Sequence, residues 1–259
     1  MPHAVSSRPP KVRLDQLLVN LGLAETRTRA QALILAGGVR VNGEPATKAG
    51  HTVAEDVQVT VAAPEPFVGR GGKKLAAALD AFGVDPAGRH CLDAGASTGG
   101  FTDCLLQRGA ARVIAVDVGY GQLDSRIATD LRVVVMDRTN VRHLGPDQLP
   151  PPLPDLIVGD LSFISLTVVL PTLCGLLAST AGSEMVLLVK PQFEVGPRHV
   201  GKGGIVREPA QRERAVAEVS VAAEAMGLVC TGRIESPITG AKGNVEFLIH
   251  LQRATEKPA

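Results

Sequence analysis

Carboxylates stand at the points where several apolar runs of this sequence would end as buried strands. Asp93 and a glycine-rich turn follow one run, Asp117 ends the next, and Asp137 ends a third. Such carboxylates can accept hydrogen bonds from ribose hydroxyls or face a cationic group, while glycines let backbone N–H groups approach a ligand. The turn lacks GxGxxG spacing and contains a carboxylate that would repel a pyrophosphate, which disfavours a dinucleotide. A ligand with a ribose, an amino-bearing base and a positive charge is indicated, and S-adenosylmethionine fits.

Further along the chain, strand ends carry charges of both signs. Asp160 ends a fourth apolar run, Lys190 closes the run MVLLV, and Glu246 lies in the last one, within GNVEF. Lys190 is either an ordinary surface terminus of a strand or a group that faces a substrate. The adjacent Lys73 and Lys74, in RGGKKL, precede the first strand, and a lysine there can reach over the edge of a sheet. These residues are the candidates for acid–base and electrostatic chemistry.

The elements that must position these groups alternate between strand-like and helix-like runs from His90 to Leu251. This alternation predicts an α/β fold with a doubly wound, mostly parallel, seven-stranded Rossmann-like sheet, in which ligands bind at the carboxyl ends of the strands. The uncharged stretch from Leu161 to Ser183 is long enough to suggest a membrane span. Because ten of its 23 residues are Ser, Thr, Gly or Pro, including Pro171, a buried helix is favoured.

The start of the chain has a different pattern and carries a local positive charge. Residues 1–50 sum to +4, whereas the whole chain sums to +1. Apolar residues at helical spacing predict a short helix over 13–21. A second helix is expected, capped by Thr26 or Thr28 and reaching Leu35, with Leu33 and Ala36 facing inward. A short strand and an Asn-Gly turn follow, so this region predicts a small α+β module.

The pattern RLDQLLVNLGLAETRTRAQALILAGGVRVNGEP resembles the small S4-like RNA-binding domain. The resemblance implies that one face of the two helices presents four arginines to RNA phosphates, and the VNG turn favours this over a plain solvated surface. Residues 11–62 are therefore assigned to this domain, 63–69 to a proline-containing linker and 70–253 to the catalytic domain. The four arginines are Arg13, Arg27, Arg29 and Arg40.

The segments DAGASTGGF, AVDVGYGQL, DLSFISL, VKPQFE, RGGKKL and GNVEF resemble those of the TlyA-type, hemolysin-named ribosomal RNA 2′-O-methyltransferases, whose catalytic domain is similar to that of FtsJ. The resemblance implies methyl transfer from S-adenosylmethionine to a ribose 2′-hydroxyl, with cytidine expected, in 16S rRNA, 23S rRNA or both. It also implies a catalytic Lys-Asp-Lys-Glu tetrad made of Lys74, Asp160, Lys190 and Glu246. Lys74 is preferred to Lys73 because the family lysine directly precedes Leu.

Four further expectations concern Lys190, the partner, the RNA contacts and the cofactor. Lys190 is expected to lie between Asp160 and Glu246 and to orient the hydroxyl. The partner is expected to be rRNA within ribosomal subunits in the cytoplasm, with no membrane, DNA or metal involved. Further RNA contacts are assigned to Arg70, Arg198 and Lys202. The cofactor is assigned to Asp93, Gly95, Ala96, Ser97, Thr98, Gly99, Gly100, Phe101, Asp117, Val118, Asp137, Arg138 and Asp160.

Other functions fit the sequence less well. An RNA-binding protein with an inactive methyltransferase domain is the main alternative, although all four tetrad positions are filled. A nicotinamide-dependent oxidoreductase would leave the RNA-binding module unexplained, and nothing supports pore formation. The four cysteines lie far apart without a CxxC pair, which indicates core thiols rather than a disulfide framework or a zinc site.

Overall fold

A computed structural model describes residues 9–62 and 65–253 of the chain. The chain divides into two compact units, with the division between Glu65 and Pro66. Each unit has its own hydrophobic core. We refer to them as the N-terminal unit and the C-terminal unit.

The N-terminal unit packs two helices against short antiparallel strands. Strands β1 and β4 pair with each other, and β2 lies between β3 and β5. Thr26 caps the second helix, because its side chain accepts a hydrogen bond from the Arg29 N–H at 3.1 Å. The elements are β1 (Lys11–Arg13), α1 (Leu14–Asn20), α2 (Arg27–Leu35), β2 (Val39–Val41), β3 (Glu44–Pro45), β4 (Thr52–Ala54) and β5 (Val59–Val61).

One of the two inward-facing positions expected on the second helix is wrong. Leu33 is half-buried and packs against the core of the unit, but Ala36 is exposed; Ala30 and Ile34 are fully buried. Positions 30 and 34 are four residues apart and therefore lie on one face of the helix, the face that meets the core. Ala36 is the C-cap residue that follows α2, so it lies beyond the helical turns that pack against the core.

The C-terminal unit alternates strands and helices through most of its length. Its helices are α3 (Gly71–Phe82), α4 (Gly100–Gln107), α5 (Ser125–Ala128), α6 (Leu166–Leu176), α7 (Pro191–Glu194) and α8 (Pro209–Glu224). Its strands are β6 (His90–Ala94), β7 (Arg112–Val116), β8 (Val133–Met136), β9 (Leu156–Gly159), β10 (Glu184–Val189), β11 (Leu228–Glu235) and β12 (Phe247–Arg253). Short 3₁₀ turns span Val141–His143, Pro146–Gln148, Pro197–His199 and Ala241–Gly243.

The seven strands form one sheet in the order β11-β12-β10-β9-β6-β7-β8. Strands β6 to β10 are parallel, and β12 runs antiparallel between β10 and β11. Apolar residues of α3 and α4 cover one face, and those of α6 and α8 cover the other. The predicted mostly parallel, doubly wound sheet is confirmed. Its parallel strands direct their carboxyl ends to one edge, where their terminal residues meet.

Two connections differ from the sequence pattern. The helix expected after β7 is reduced to the single turn of α5, because most of the segment from Asp117 to Asp124 is loop. Within the uncharged stretch, α6 occupies only Leu166–Leu176, and its Pro171 is exposed. Among the described residues, no helix is long and apolar enough to cross a membrane.

Candidate active site

The glycine turn after β6 begins where backbone from two strands comes into close contact. The N–H groups of Gly95 and Ala96 both donate to the carbonyl of Val116, at 2.9 and 3.1 Å. Gly95 has a φ of +84°, and a Cβ added there would lie 2.9 Å from the carbonyl oxygen of Asp160. Only glycine fits this position, because any side chain would clash and would also disfavour the left-handed backbone. The turn is thereby held against the carboxyl end of β9.

The carboxylate of Asp117 fixes the other side of this turn. Its Oδ2 accepts a hydrogen bond from the Ser97 N–H at 2.8 Å, and its Oδ1 accepts one from the Gly119 N–H at 2.7 Å. Each carboxylate oxygen retains a lone pair for a further donor. Asp117 is half-buried at the rim, so an entering hydroxyl can reach it.

Three neighbouring cavities open along this edge of the sheet. The wide cavity, about 470 Å³, lies between the glycine turn and β9. The narrow cavity, about 190 Å³, includes Asp160 and Lys190 in its lining, and the aromatic cavity, about 380 Å³, includes Phe163 and Phe193. Asp160 lines both the wide and the narrow cavity, and Ser162 lines all three.

A chain of ion pairs joins the four residues of the expected tetrad. Lys74 Nζ donates to Glu246 Oε2 at 2.6 Å and lies 3.8 Å from Asp160 Oδ2. Lys190 Nζ lies 2.5 Å from Asp160 Oδ1 and donates to Ser162 Oγ at 2.8 Å. Lys74, Lys190 and Glu246 are buried, and Asp160 is half-buried. Two ammonium groups and two carboxylates therefore neutralise one another at the carboxyl edge of the sheet.

The pairing within this cluster differs from the expected one. Lys190 was expected between Asp160 and Glu246, but Lys74 occupies that position, and Lys190 contacts Asp160 and Ser162. The difference arises because α3 places Lys74 over the sheet edge, between β9 and β12. The structure brings Lys74 to the cluster, as the sequence analysis preferred.

The aromatic cavity adjoins the cluster on the side away from the glycine turn. Phe163 is 91% exposed, and its ring centroid lies 5.4 Å from that of Phe193, with the rings tilted by 50°. Asn244 is buried beside this cavity, where its Nδ2 donates to the Gly204 carbonyl at 2.8 Å and its Oδ1 accepts from the Val206 N–H at 3.1 Å. Asn244 thus ties the glycine-rich segment 201–206 to the base of β12.

Most of the residues assigned to the cofactor line the wide or the narrow cavity. Asp93 does not, because it has no exposed surface and accepts a hydrogen bond from Thr102 Oγ1 at 2.7 Å. Burial raises the pKa of Asp93 to about 7. The expectation that this carboxylate faces a cationic ligand is wrong, because it lies beneath the turn. The residues that do line the cavities are Gly95, Ala96, Ser97, Thr98, Gly100, Phe101, Asp117, Val118 and Asp160.

Three other assigned residues also lie outside these cavity linings. Asp137 Oδ2 accepts a hydrogen bond from the Gly121 N–H at 2.8 Å, and the Arg138 guanidinium stacks 4.2 Å above the Tyr120 ring. Both side chains therefore support the loop after β7. Gly99 is the buried N-cap of α4.

The sequence reasoning missed several cavity residues. Ser162 follows Asp160 by two positions in DLSF and could have been found from that spacing. Gln122 and Asn140 add amide groups to the wide cavity, and nothing in their sequence surroundings singles them out. Asn244 lies in the GNVEF segment, but its contact with 201–206 depends on tertiary packing.

The residues assigned to RNA have different surroundings. Arg70 is exposed and lines the aromatic cavity, while Arg198 and Lys202 are exposed on the segment after α7. In the N-terminal unit, Arg13 and Arg27 both bind Asp15.

The four arginines of the N-terminal unit were expected to share one face, and they do not. Arg27 and Arg29 are two positions apart on α2, and side chains at that spacing do not lie on the same side of a helix. Arg40 projects from β2 and donates to the Gly43 carbonyl at 3.0 Å.

The described residues of the protein hold neither a cluster of metal-binding side chains nor a disulfide. Within residues 9–62 and 65–253, no three metal-binding side chains come together. All four cysteines are free, with Cys91 and Cys104 buried and the other two half-buried.

Comparisons with known proteins identify relatives of both units and of the whole chain. Residues 67–253 match the FtsJ-like methyltransferase family, and residues 12–59 match the S4 domain. The chain is 48% identical to the 16S/23S rRNA (cytidine-2′-O)-methyltransferase TlyA of Mycobacterium tuberculosis, over 95% of this chain and 92% of that protein. It is 40% identical to Hemolysin A of Brachyspira hyodysenteriae, over 92% and 99%. A solved structure of a hemolysin-named protein from Streptococcus thermophilus has a TM-score of 0.73 at 40% identity, covering 97% and 91%.

Proposed function

Because the chain belongs to the FtsJ-like methyltransferases that carry an S4 domain, the TlyA-type rRNA methyltransferases, we propose that it methylates a ribose 2′-hydroxyl of ribosomal RNA. S-adenosylmethionine is the proposed methyl donor. The proposed acceptor is a cytidine in 16S rRNA, 23S rRNA or both, since the mycobacterial relative is named for cytidine in both.

One observation carries this proposal: the ion-paired cluster lies between a cavity suited to a nucleoside and a cavity open to a large substrate. Asp160 and Ser162 line both the wide and the narrow cavity, and Ser162 and Lys190 line the aromatic one. A methyl donor on one side and a ribose on the other would therefore meet at Lys190. Holding two reactants in this way supplies much of the rate of a direct displacement.

The wide cavity fits an adenosyl group in size and in chemistry. Asp117 offers a carboxylate for the ribose hydroxyls, Asn140 and Gln122 offer amides for the base, and Val118 and Leu161 supply apolar walls. Gly95 and Ser97 of the glycine turn line this cavity, so a ligand can lie against the turn. S-adenosylmethionine, when bound, supplies an electrophilic methyl group.

The chain's own residues prepare the hydroxyl. The Lys190 ammonium, held by Asp160 and Ser162, donates a hydrogen bond to the 2′-oxygen, orients it and stabilises the negative charge that develops there. As the bond between this oxygen and the methyl carbon forms, the bond between that carbon and the sulfonium sulfur breaks, and the hydroxyl proton is released to solvent. Because the amine nitrogen of Lys190 lies beside Asp160 and Ser162 at the carboxyl edge of the sheet, it is placed to stabilise an anion at the 2′-oxygen. Lys74 and Glu246 hold Asp160 in place from the other side.

The proposed partner is a ribosomal subunit, which places the protein in the cytoplasm. Residues 11–62 are proposed to bind RNA and residues 70–253 to catalyse transfer, with 63–69 as the linker. With one tyrosine, six phenylalanines and no tryptophan, the chain has few aromatic rings for stacking, which favours recognition of phosphates and RNA shape.

The direct test incubates the protein with methyl-labelled S-adenosylmethionine and purified 30S or 50S subunits, and then maps the modified ribose. Lys190→Ala should abolish transfer and leave S-adenosylmethionine binding, measured by calorimetry, nearly unchanged. Lys73→Ala is the control, because Lys73 lines none of the three cavities. Retained turnover in Lys190→Ala would remove this lysine from the reaction.

The same assay decides the alternative of an RNA-binding protein with an inactive catalytic unit. That alternative predicts binding to a subunit without label transfer from the wild-type chain. Methyl transfer to a base, rather than to a ribose, would contradict the proposed acceptor.

A further inference from the structure

Among the described residues of the N-terminal unit, Asp15 is the charged residue that is most completely buried. Its side chain is 0% exposed. Arg13 donates to it through Nε at 3.0 Å and Nη2 at 2.9 Å, and Arg27 donates through Nη2 at 3.2 Å. Gln31 donates from α2 at 2.8 Å. One buried carboxylate therefore gathers donors from the end of β1 and from two positions on α2.

The two arginines remain available to a ligand although they are held. Their side chains are 51% and 52% exposed. Arg13 uses Nε and one terminal nitrogen for Asp15, and Arg27 uses one terminal nitrogen, so each guanidinium retains N–H groups for another acceptor. A Cβ added at Gly50 would lie 3.6 Å from both terminal nitrogens of Arg13, so this guanidinium is next to Gly50.

Charge alone does not explain this arrangement. An acidic residue next to two arginines subtracts one charge from a surface that is expected to bind phosphates. The carboxylate stays ionised, because the hydrogen bond from Arg13 holds the pKa of Asp15 below its usual range. The contribution of Asp15 to binding is geometric. Free arginine side chains lose considerable rotamer freedom when they bind a ligand, whereas a guanidinium group that is already held in place loses less.

We infer that Asp15 is a positioning residue for RNA binding, which holds Arg13 and Arg27 as a fixed pair of guanidinium donors to neighbouring phosphates of the rRNA. This inference rests on the proposed RNA-binding function of the N-terminal unit. It goes beyond that function because it assigns recognition to one pre-organised pair of arginines and to the carboxylate beneath it.

The test is Asp15→Asn in the full-length chain, measured by direct binding to 30S and 50S subunits and by methyl-transfer kinetics. An effect of charge alone and an effect of arginine positioning predict opposite changes in the Kd for the subunit. If only charge matters, removing a carboxylate tightens binding. If position matters, the Kd and the KM for the subunit rise about tenfold while kcat and the affinity for S-adenosylmethionine stay the same.

Asp56→Asn is the matched control, since Asp56 is an exposed acid of the same unit. It removes the same charge without touching the arginines and should leave the Kd unchanged or slightly lower. In the Arg13→Ala, Arg27→Ala double variant, adding Asp15→Asn should change the Kd no further, because the carboxylate acts through those two side chains. If Asp15 only stabilised the fold of the unit, Asp15→Asn would still weaken binding when it is added to that double variant.

A second variant keeps the test decisive if Asp15→Asn unfolds the N-terminal unit. Gln31→Met removes one donor to Asp15 without changing any charge and should raise the Kd by a smaller factor. Tighter or unchanged binding of a folded Asp15→Asn, or an unchanged Kd of Gln31→Met, would overturn the inference. Binding of subunits without methyl transfer would refute the proposed catalysis but leave the Asp15 measurement interpretable.

Discussion

The position of Glu246 depends on the absence of a side chain at Gly240. A Cβ added at Gly240 would lie 1.9 Å from Glu246 Oε1 and 2.4 Å from its Cδ. Ordinary contact begins near 3.4 Å, so in Gly240→Ala the carboxylate must retreat by about 1.5 Å. Because Glu246 Oε2 holds Lys74 Nζ at 2.6 Å, such a shift breaks or reorients this ion pair. Of its two carboxylate partners, Lys74 would then keep only Asp160.

Displacements of about 1 Å near a reacting centre cost about 100-fold in rate, and we expect a loss of this order in kcat for Gly240→Ala. Single-turnover transfer to ribosomal subunits measures it. Affinity for S-adenosylmethionine should change little, since neither Gly240 nor Glu246 lines the wide cavity. Gly175→Ala is the matched control, because nothing lies within 4 Å of its added Cβ and its backbone is helical. Wild-type kcat in a folded Gly240→Ala protein would refute the claim that the placement of Glu246 matters.

Three further predictions concern buried polar groups. Because the pKa of Asp93 is raised to about 7, the protonated form is favoured in the folded state, so the free energy of unfolding should fall by roughly 4 kcal/mol as pH rises from about 4 through about 7. Urea unfolding at several pH values should show this slope in the wild type and lose it in Asp93→Asn; equal slopes would contradict the assignment. Burial alone would raise the pKa of Glu184, but hydrogen bonds from His250 and Arg89 lower it to about 2, so its stabilisation is present at neutral pH and lost as pH falls toward 2. Glu184→Gln should therefore cost about 3 kcal/mol at pH 7 without altering kcat, whereas the exposed Glu213→Gln should cost much less; equal losses of stability in the two variants would contradict this prediction. Asn244→Ala removes both bonds to segment 201–206 and should speed hydrogen exchange there and raise the KM for subunits; unchanged exchange would show that the segment is held otherwise.

Much of the fold could be predicted from local patterns. The alternation of strand-like and helix-like runs indicated the seven-stranded sheet, since the hydrophobic periodicity of each run is carried by its own residues. The length of the helix after β7 and the inward position of Ala36 were predicted wrongly, because packing against neighbours decides which turns persist. Leu33 does pack against the core, but only as a half-buried residue.

The sequence by itself determined which residue types stand at the strand ends, and therefore that Asp160 and Lys190 reach one edge of a parallel sheet. Glu246 directly precedes β12 and reaches the same edge because that strand runs antiparallel to its neighbours. Only the tertiary structure decided which groups touch. Lys74 and Glu246 are separated by 172 positions, and no local pattern reveals that Lys74, rather than Lys190, bridges the two carboxylates. In the same way, a strand-end aspartate reads alike in sequence whether it faces a cavity, as Asp117 does, or lies covered, as Asp93 does. Burial and pairing depend on side chains contributed by distant segments, which exist as neighbours only after the chain has folded.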